Sequence, residues 1–317
     1  MVLRCYFSVD VHGNTIVWRK WINAVNVYKA NVLILSGDLT GKAIVPIYDK
    51  NGYYEAEFLG RKYIVNNNEE LKKLEEQIEN VGYYYKVMTM KEAQEFAADE
   101  KKLENLFKEL ITERIRKWMD LLLEKVNTKE VIAMAMPGND DEFWVDEVIK
   151  EYADRGIIYP LDKIVELPHG YEIVSNDYVN PTPWKTPREV DEKRLEKMLE
   201  EKIKKIHNME KAIFNFHPPP YNTKLDLAPK LDKNMKIVYV GGKPLMIHVG
   251  STAVRKMIEK YQPLIGLHGH IHESYASDKI GRTVVVNPGS EYTEGILRGF
   301  IIELDENGIR NYWKVEG

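Results

Sequence analysis

The sequence predicts an α/β fold, and three observations carry that reading. Short, continuous apolar runs of strand length recur at 2-VLRCYFSV-9, 32-VLILSG-37, 131-VIAMAMPG-138, 212-AIFNF-216 and 263-PLIGLHG-269. Unbroken apolar character, rather than alternation, is what strands buried on both faces require. Helical text separates the runs, and strands alternating with helices build α/β cores. Finally, Asp10, His12, Asp38, Asn139, His217, His270 and His272 all stand at, or just beyond, the carboxyl ends of these runs. That is where α/β sheets assemble their sites.

The first run holds the single cysteine, Cys5, read as a small core residue with no internal partner for a disulfide. The run reaches Asp10 before a leader-length apolar segment forms, so no signal peptide is expected. A helix over about 15–30 and the run at 32–37 follow. Residues 42–128 then interrupt the pattern. They open with hairpin-like text, 44-IVPIYDKNGYYEAEFLGRKYIV-65, turning at Asn51-Gly52. One helix starts near Asn68, and another runs from the Thr89-Met-Lys-Glu92 capping box to about Val126. Its stripe of Leu103, Leu106, Phe107, Leu110, Ile111, Trp118 and Leu122 reads as packing. The segment carries 15 basic and 17 acidic residues, which is no polyanion clamp. It is expected to be a hairpin-plus-helix subdomain capping one end of the sheet, with a dimerisation element as the alternative. A helix over 142–154 comes next. A further one is expected after Thr186, where Thr186-Pro-Arg-Glu189 has capping-box form and Leu195, Met198, Leu199, Ile203, Ile206 and Met209 make a stripe.

The stretch 266-GLHGHIHES-274 places His268, His270 and His272 at alternate positions in a chain with eight histidines. In an extended segment all three would face one target. The polar face of an edge strand and a metal site both remain open at this point. Read singly, Asp38 and Asn139 are ordinary turn residues. Composition sets the frame: 44% hydrophobic, 30% charged and a net charge of −4 describe a globular chain without a general preference for polyanions. No apolar run approaches a membrane span, so no membrane partner is expected and a cytoplasmic location is. Three glutamines among abundant Lys, Glu, Ile and Tyr lean towards a thermophile.

Taken in order, Asp10-x-His12, Gly37-Asp38, Gly138-Asn139-Asp140-Asp141, His217 and Gly269-His270-x-His272 resemble the motifs of the calcineurin-like metallophosphoesterase superfamily. The insertion, 179-VNPTPWKTPRE-189, 216-FHPPPYNT-223 and 287-NPGSEYTEGILRG-299 look like its archaeal branch of predicted phosphoesterases related to the Icc protein. The resemblance covers nearly the whole chain. It implies one domain over 1–317, a four-layer αββα sandwich of two mixed sheets flanked by helices. It also implies two divalent metal ions, Mn²⁺ first, with Fe, Ni²⁺ or Zn²⁺ as alternatives. Asp10, His12 and His272 would hold one ion, Asn139, His217 and His270 the other, and Asp38 would bridge them. Mixed hard oxygens and imidazoles suit such ions. The implied activity is phosphoester hydrolysis by a metal-activated hydroxide, on a small phosphodiester or nucleotide, with nucleic acid disfavoured and a homodimer left open.

Many family members carry a histidine, the supposed acid for the leaving group, after the third-motif asparagine. Here that position is Asp140, followed by Asp141. A carboxylate beside two cations stays ionised and makes a poor acid, which implies substrates with good leaving groups. His268 lies outside the family's metal set; it orients a neighbour or satisfies buried backbone, or alternatively supplies the proton. Asn14 is a helix cap or a phosphate contact. Lys185 and Arg188 are solvated charges or substrate contacts. The arginine that follows Gly-Asp in family protein phosphatases is absent from Gly-Asp-Leu-Thr-Gly-Lys. The alternatives are a nuclease of the same superfamily and a non-catalytic scaffold with the same fold.

Overall fold

The structure is a computed structural model that describes residues 2–317. Two six-stranded mixed sheets face each other. The first comprises β1 (Leu3–Ser8), β2 (Val32–Ser36), β7 (Ile132–Met136), β8 (Ile157–Ile158), β19 (Arg298–Asp305) and β20 (Gly308–Glu316), in the order β20-β19-β1-β2-β7-β8. The second comprises β9 (Val165–Leu167), β10 (Tyr171–Asn176), β11 (Ala212–Phe216), β16 (Ile265–Leu267), β17 (Ala276–Ile280) and β18 (Thr283–Asn287), in the order β17-β18-β16-β11-β10-β9. Strands β1, β2 and β7 run parallel, as do β10, β11, β16 and β18. Their carboxyl ends therefore meet at one edge of the sandwich.

The unbroken apolar runs have a simple cause: each strand serves two cores. Cys5, Phe7, Ile34 and Met134 point into the layer between the sheets, with Ile213, Ile265, Val284 and Val286. Their neighbours Tyr6, Leu33, Leu35, Ala133 and Ala135 point outward, under α1 (Thr15–Tyr28) and α5 (Val145–Lys150). On the other side Val174, Phe214 and Val285 lie under α6 (Glu192–Ile203) and α7 (Thr252–Tyr261). Four layers result, an αββα sandwich, because successive strand residues alternate between faces.

The insertion forms a separate sheet of β3 (Ile44–Asp49), β4 (Tyr54–Phe58), β5 (Arg61–Val65) and β6 (Tyr84–Met88), in the order β5-β4-β3-β6. With α2 (Asn68–Glu79) it encloses a small core of Val45, Ile47, Phe58, Leu74 and Ile78. The single helix expected over 89–126 is two, α3 (Met90–Ala98) and α4 (Glu100–Lys125). Asp99 breaks them: extended itself, it caps α4 by accepting from the Lys102 N–H. Helix α4 packs in the outer layer beside α1, with Trp118 stacked on Trp18 at 4.8 Å between centroids. The indole of Trp18 donates to the Trp118 carbonyl, and that of Trp118 to Thr15 Oγ1. This part of the insertion is thus a layer of the main sandwich.

Two further helices are shorter than the pattern suggested. The α5 helix covers only part of 142–154, and α6 starts after Asp191, which accepts from the Arg194 N–H. Thr186 and Glu189 make one of the two capping-box bonds, the Thr186 N–H donating to Glu189 Oε1 at 2.7 Å, and the Thr186 hydroxyl donates to the same oxygen. No helix follows them, because the same carboxylate also accepts from the Thr182 N–H and closes a loop. Ile206 and Met209 therefore lie beyond α6. Among the described residues no helix is long and apolar enough to cross a membrane.

Candidate metal centre

The histidine stretch is a turn, not a strand. Strand β16 ends at Leu267, between β11 and β18, and His270 has a left-handed backbone with φ 68°. Neither the edge strand nor the shared face expected from alternation is present. His270 and His272 reach the site through the turn, while His268 points away from it. Three other donors also take left-handed backbone: Asp10 (φ 54°), His12 (φ 41°) and Asp38 (φ 47°). Such conformations are sparse for non-glycine residues and cluster where side chains must be aimed at a site. Two glycines make room. A Cβ on Gly37 would collide with the His217 ring, and one on Gly138 with the Asp38 carboxylate.

These loops bring all seven expected donors together from both sheets. Ligand atoms of Asp10, His12, Asp38 and His272 lie within 4.8 Å of one another, and so do those of Asp38, His217 and His270. Asp38 belongs to both sets. His217 Nε2 is 3.1 Å from Asn139 Oδ1, 3.5 Å from Asp38 and 3.8 Å from Asp10 Oδ1, which puts Asn139 beside the second set. Neighbouring groups fix the orientations. His217 Nδ1 donates to the Ser36 carbonyl, which leaves Nε2 facing the cluster, and Asn139 Nδ2 donates to Thr186, which leaves its oxygen inward. Second partners of this kind are how metal-binding imidazoles are held. The Asp10 carboxylate accepts from the His270 N–H, and Ser290 donates to the Asp10 carbonyl.

The donor set fits a cation. Asp10 and Asp38 are buried, yet no Lys or Arg pairs with either among the described residues. Asp10 Oδ1 is a buried oxygen without a hydrogen-bond partner. His12 Nε2 and His272 Nε2 face each other at 3.1 Å. The electrostatics report the same frustration. Burial raises the Asp10 carboxyl well above the carboxylate range, and Asp38 adds to it. Burial also pushes Asp38 up, but His217 and His12 outweigh it and hold Asp38 low. Burial presses His217 down, yet Asp38 and then Asp10 lift it to about 9. Burial lowers His12 and His270 to about 3, so both rings are neutral and have a lone pair to give. Isolated buried carboxylates are costly unless paired or bound to metal. The cluster could hold divalent ions.

The remaining candidates separate clearly. Asp140 lines the cavity at the cluster, where its N–H donates to Asp38 Oδ1 and its carboxylate pairs with Lys42. Burial and then Asp38 raise its carboxyl to about 6 against the pull of Lys42. Asp141, expected beside it at the chemistry, is fully buried and turned inward. It accepts from the Leu39, Thr40 and Gly138 N–H groups and the Thr40 hydroxyl, so it organises the Asp38 loop and cannot meet a substrate. His268 is buried, with Nδ1 directed at the Phe216 and Pro218 carbonyls, and burial lowers it to about 4. It pins the loop carrying His217 and lines no part of the cavity, which removes it as a proton donor.

Asn14 is likewise consumed: its oxygen caps α1 at the Val17 N–H, and its amide donates to the Asn80 and Tyr292 carbonyls. Arg188 is 1% exposed, paired with Asp146 and Asp177 and bonded to the Asp141 and Glu142 carbonyls. It cannot reach a substrate. Lys185 is exposed on the loop outside the cavity. Sequence reasoning passed over Lys42, although it occupies the place after Gly-Asp where the missing arginine was sought. It also passed over Tyr292, whose ring packs on His12 at 4.6 Å and on His272 at 5.9 Å. No motif marked either one.

A cavity of about 610 Å³ opens over the cluster. Its floor is His12, Asp38, Asn139, Asp140, His270 and His272, and its walls come from 180–186 and 228–249. Apart from Lys42 the insertion contributes nothing to it, so the expected cap over the site lies elsewhere. The arm that lines it carries the ladder of β12 (Leu227–Pro229) with β15 (Met246–His248) and, between them, Leu231 and Ile237; a further ladder of β13 (Tyr239–Val240) with β14 (Lys243–Pro244) belongs to the same arm and lies outside the lining.

No family profile matches the chain. It is 34% identical over 179 residues to the uncharacterized protein MJ1162 of Methanocaldococcus jannaschii, covering 55% of this chain and 72% of that one. Among solved structures it is similar to TT1561 of Thermus thermophilus, with a TM-score of 0.53, 14% identity and 99% of each chain covered. Another solved structure matches at a TM-score of 0.57 and 16% identity, again over 99% of each chain. At these identities the structural likeness establishes the fold.

Proposed function

We propose that the chain, which is in one family with MJ1162, is a two-metal phosphoester hydrolase of the calcineurin-like metallophosphoesterase superfamily. The observation that carries the reading is the cluster of two buried carboxylates, four imidazoles and one amide with no lysine or arginine to balance it. The proposed holders are Asp10, His12 and His272 for one ion, and Asn139, His217 and His270 for the other, with Asp38 shared. Bound there, two divalent ions, Mn²⁺ first, would lower the pKa of a water to about 7 and neutralise charge on the phosphoryl oxygens.

The chain's own residues do the rest. Ser36 and Thr186 hold His217 and Asn139 in their inward orientations. Lys42 places the only ammonium of the cavity lining beside Asp140, where it can offset charge on a phosphoryl oxygen. Beside two bound cations Asp140 would be held as a carboxylate, against the burial that raises it, so that it would not supply a proton. The substrates are therefore small diesters or nucleotide esters whose leaving groups depart without one. The insertion, with its 15 basic and 17 acidic residues, supports a small ester over a nucleic acid.

Hydrolysis of bis-p-nitrophenyl phosphate with Mn²⁺, with Asp38→Ala as control, tests the reading. Turnover by the wild type that disappears in the variant supports it; no metal-dependent turnover on any ester turns the reading to a scaffold. The leaving-group argument has its own test. Asp140→His should flatten the dependence of kcat on leaving-group pKa, and equal slopes for both proteins would remove the argument.

A further inference from the structure

The cavity is divided in a way the hydrolytic reading does not require. Beside the polar donors the lining has a largely apolar part, Pro181, Pro183 and Trp184 from one segment and Leu231, Ile237 and Ile247 from another, with Asn180, Thr182, Thr186 and Glu273 as its further polar groups. Trp184 is 63% exposed and Ile237 42%, so both present apolar surface to open space beside the site. The two walls are tied together, with Asn180 Nδ2 donating to the Val249 carbonyl at 3.2 Å. Lys42 is the single ammonium or guanidinium on the lining, and Asp140 already pairs with it. Lys185 and Lys230 are exposed next in sequence to wall residues but do not line the slot, so a second phosphate inside it would meet no cation there.

Resting on the hydrolytic reading above, we propose that the slot between residues 181–184 and the 228–249 arm takes the ester arm of the substrate, and that this arm is bulky, apolar and uncharged. The substrate class is a phosphoester with one phosphate on the floor and a hydrocarbon or aryl group between the walls. The wall chemistry carries the choice. Apolar area removed from water by proline, indole and aliphatic side chains favours such a group, whereas a charge there would lose its hydration without a partner. The tie between the walls keeps the slot formed before binding, which lowers the ordering cost.

The test varies one arm and keeps the leaving group. p-Nitrophenyl alkyl phosphates from methyl to hexyl should show kcat/KM rising about fourfold per methylene, the gain expected for burying each one. A 5-carboxypentyl arm of the same length should fall at least about tenfold below hexyl, since its terminal charge is desolvated unpaired. Trp184→Ala and Ile237→Ser alter exposed side chains away from the donor cluster. Each should cut the hexyl-to-methyl ratio of kcat/KM by about fivefold. Calorimetric binding of hexylphosphonate and methylphosphonate, with and without Mn²⁺, gives a readout independent of turnover, and hexylphosphonate should bind more tightly in both conditions. A flat chain-length series, a carboxypentyl ester as fast as hexyl, or equal affinity for the two phosphonates would overturn the assignment. If no ester is hydrolysed with any metal, the hydrolytic reading fails, and the calorimetry still decides what the slot binds.

Discussion

Two buried charge clusters lie near each other in this molecule, and they are built on opposite terms. In one, Arg188 is 1% exposed and pairs with Asp146 and Asp177, with Asp141 and Glu142 carbonyls taking its other donors. In the other, Asp10 and Asp38 are as deeply buried, and their neighbours are imidazoles, of which the carboxylates lift His217 to about 9 while burial keeps His12 and His270 neutral. The first is complete within the chain. The second has a buried oxygen with no partner and two ring nitrogens turned on each other. Completeness marks a structural knot, and its absence marks a cluster that could bind a cation.

The largest expected effect is on function. Asp38→Ala removes the oxygen common to both ligand sets, so metal-dependent turnover of bis-p-nitrophenyl phosphate should drop to background. Metal should also stabilise the wild type and not the variant: at one hundred times the dissociation constant, binding contributes about 2.7 kcal/mol. A Tm rise on adding Mn²⁺ that survives in Asp38→Ala would contradict the assignment of Asp38. Next comes the knot. Arg188→Met strands the buried Asp177 and takes a partner from the half-buried Asp146, and should cost about 3–5 kcal/mol in urea unfolding, with or without metal. A loss below about 1 kcal/mol would erase the distinction between the clusters.

A smaller effect is expected at Asp141, which stands between the two. Asp141→Asn loses part of the four-fold acceptance from Leu39, Thr40 and Gly138, and should cost about 1–3 kcal/mol by thermal unfolding. Its residual turnover should track the loss of Asp38 loop order rather than a change in pH profile. The smallest stability effect belongs to Lys42, whose side chain is 59% exposed: Lys42→Ala should change stability by less than about 1 kcal/mol while raising KM. Unchanged KM would remove Lys42 from the substrate site.

The comparison also separates what was legible in the chain from what was not. Strand ends were legible, since an apolar run serving two cores has a sharp composition boundary, and the donors of the site sit just beyond those boundaries. The five runs became β1, β2, β7, β11 and β16, all but β11 trimmed at their ends. The turn at 268–272 was not legible, because His270 reaches its orientation through a left-handed backbone that alternation cannot signal. Thr186 and Glu189 wrote a capping box that closes a loop, as the competing acceptance from Thr182 is invisible locally. Arg188 and Asp141 acquire their roles from partners on other elements, from Asp146 and Asp177 to the Leu39–Thr40 loop. The cavity walls come in part from a short ladder at 227–248 with no periodicity to read.

The central claim is that the incomplete cluster is a two-ion centre. Crystals grown with Mn²⁺ and measured at the manganese absorption edge test it directly through the anomalous difference map. The account predicts two peaks per chain, one among Asp10, His12 and His272 and one among Asn139, His217 and His270, with Asp38 between them. A single peak, peaks at other residues, or none at saturating metal would contradict it.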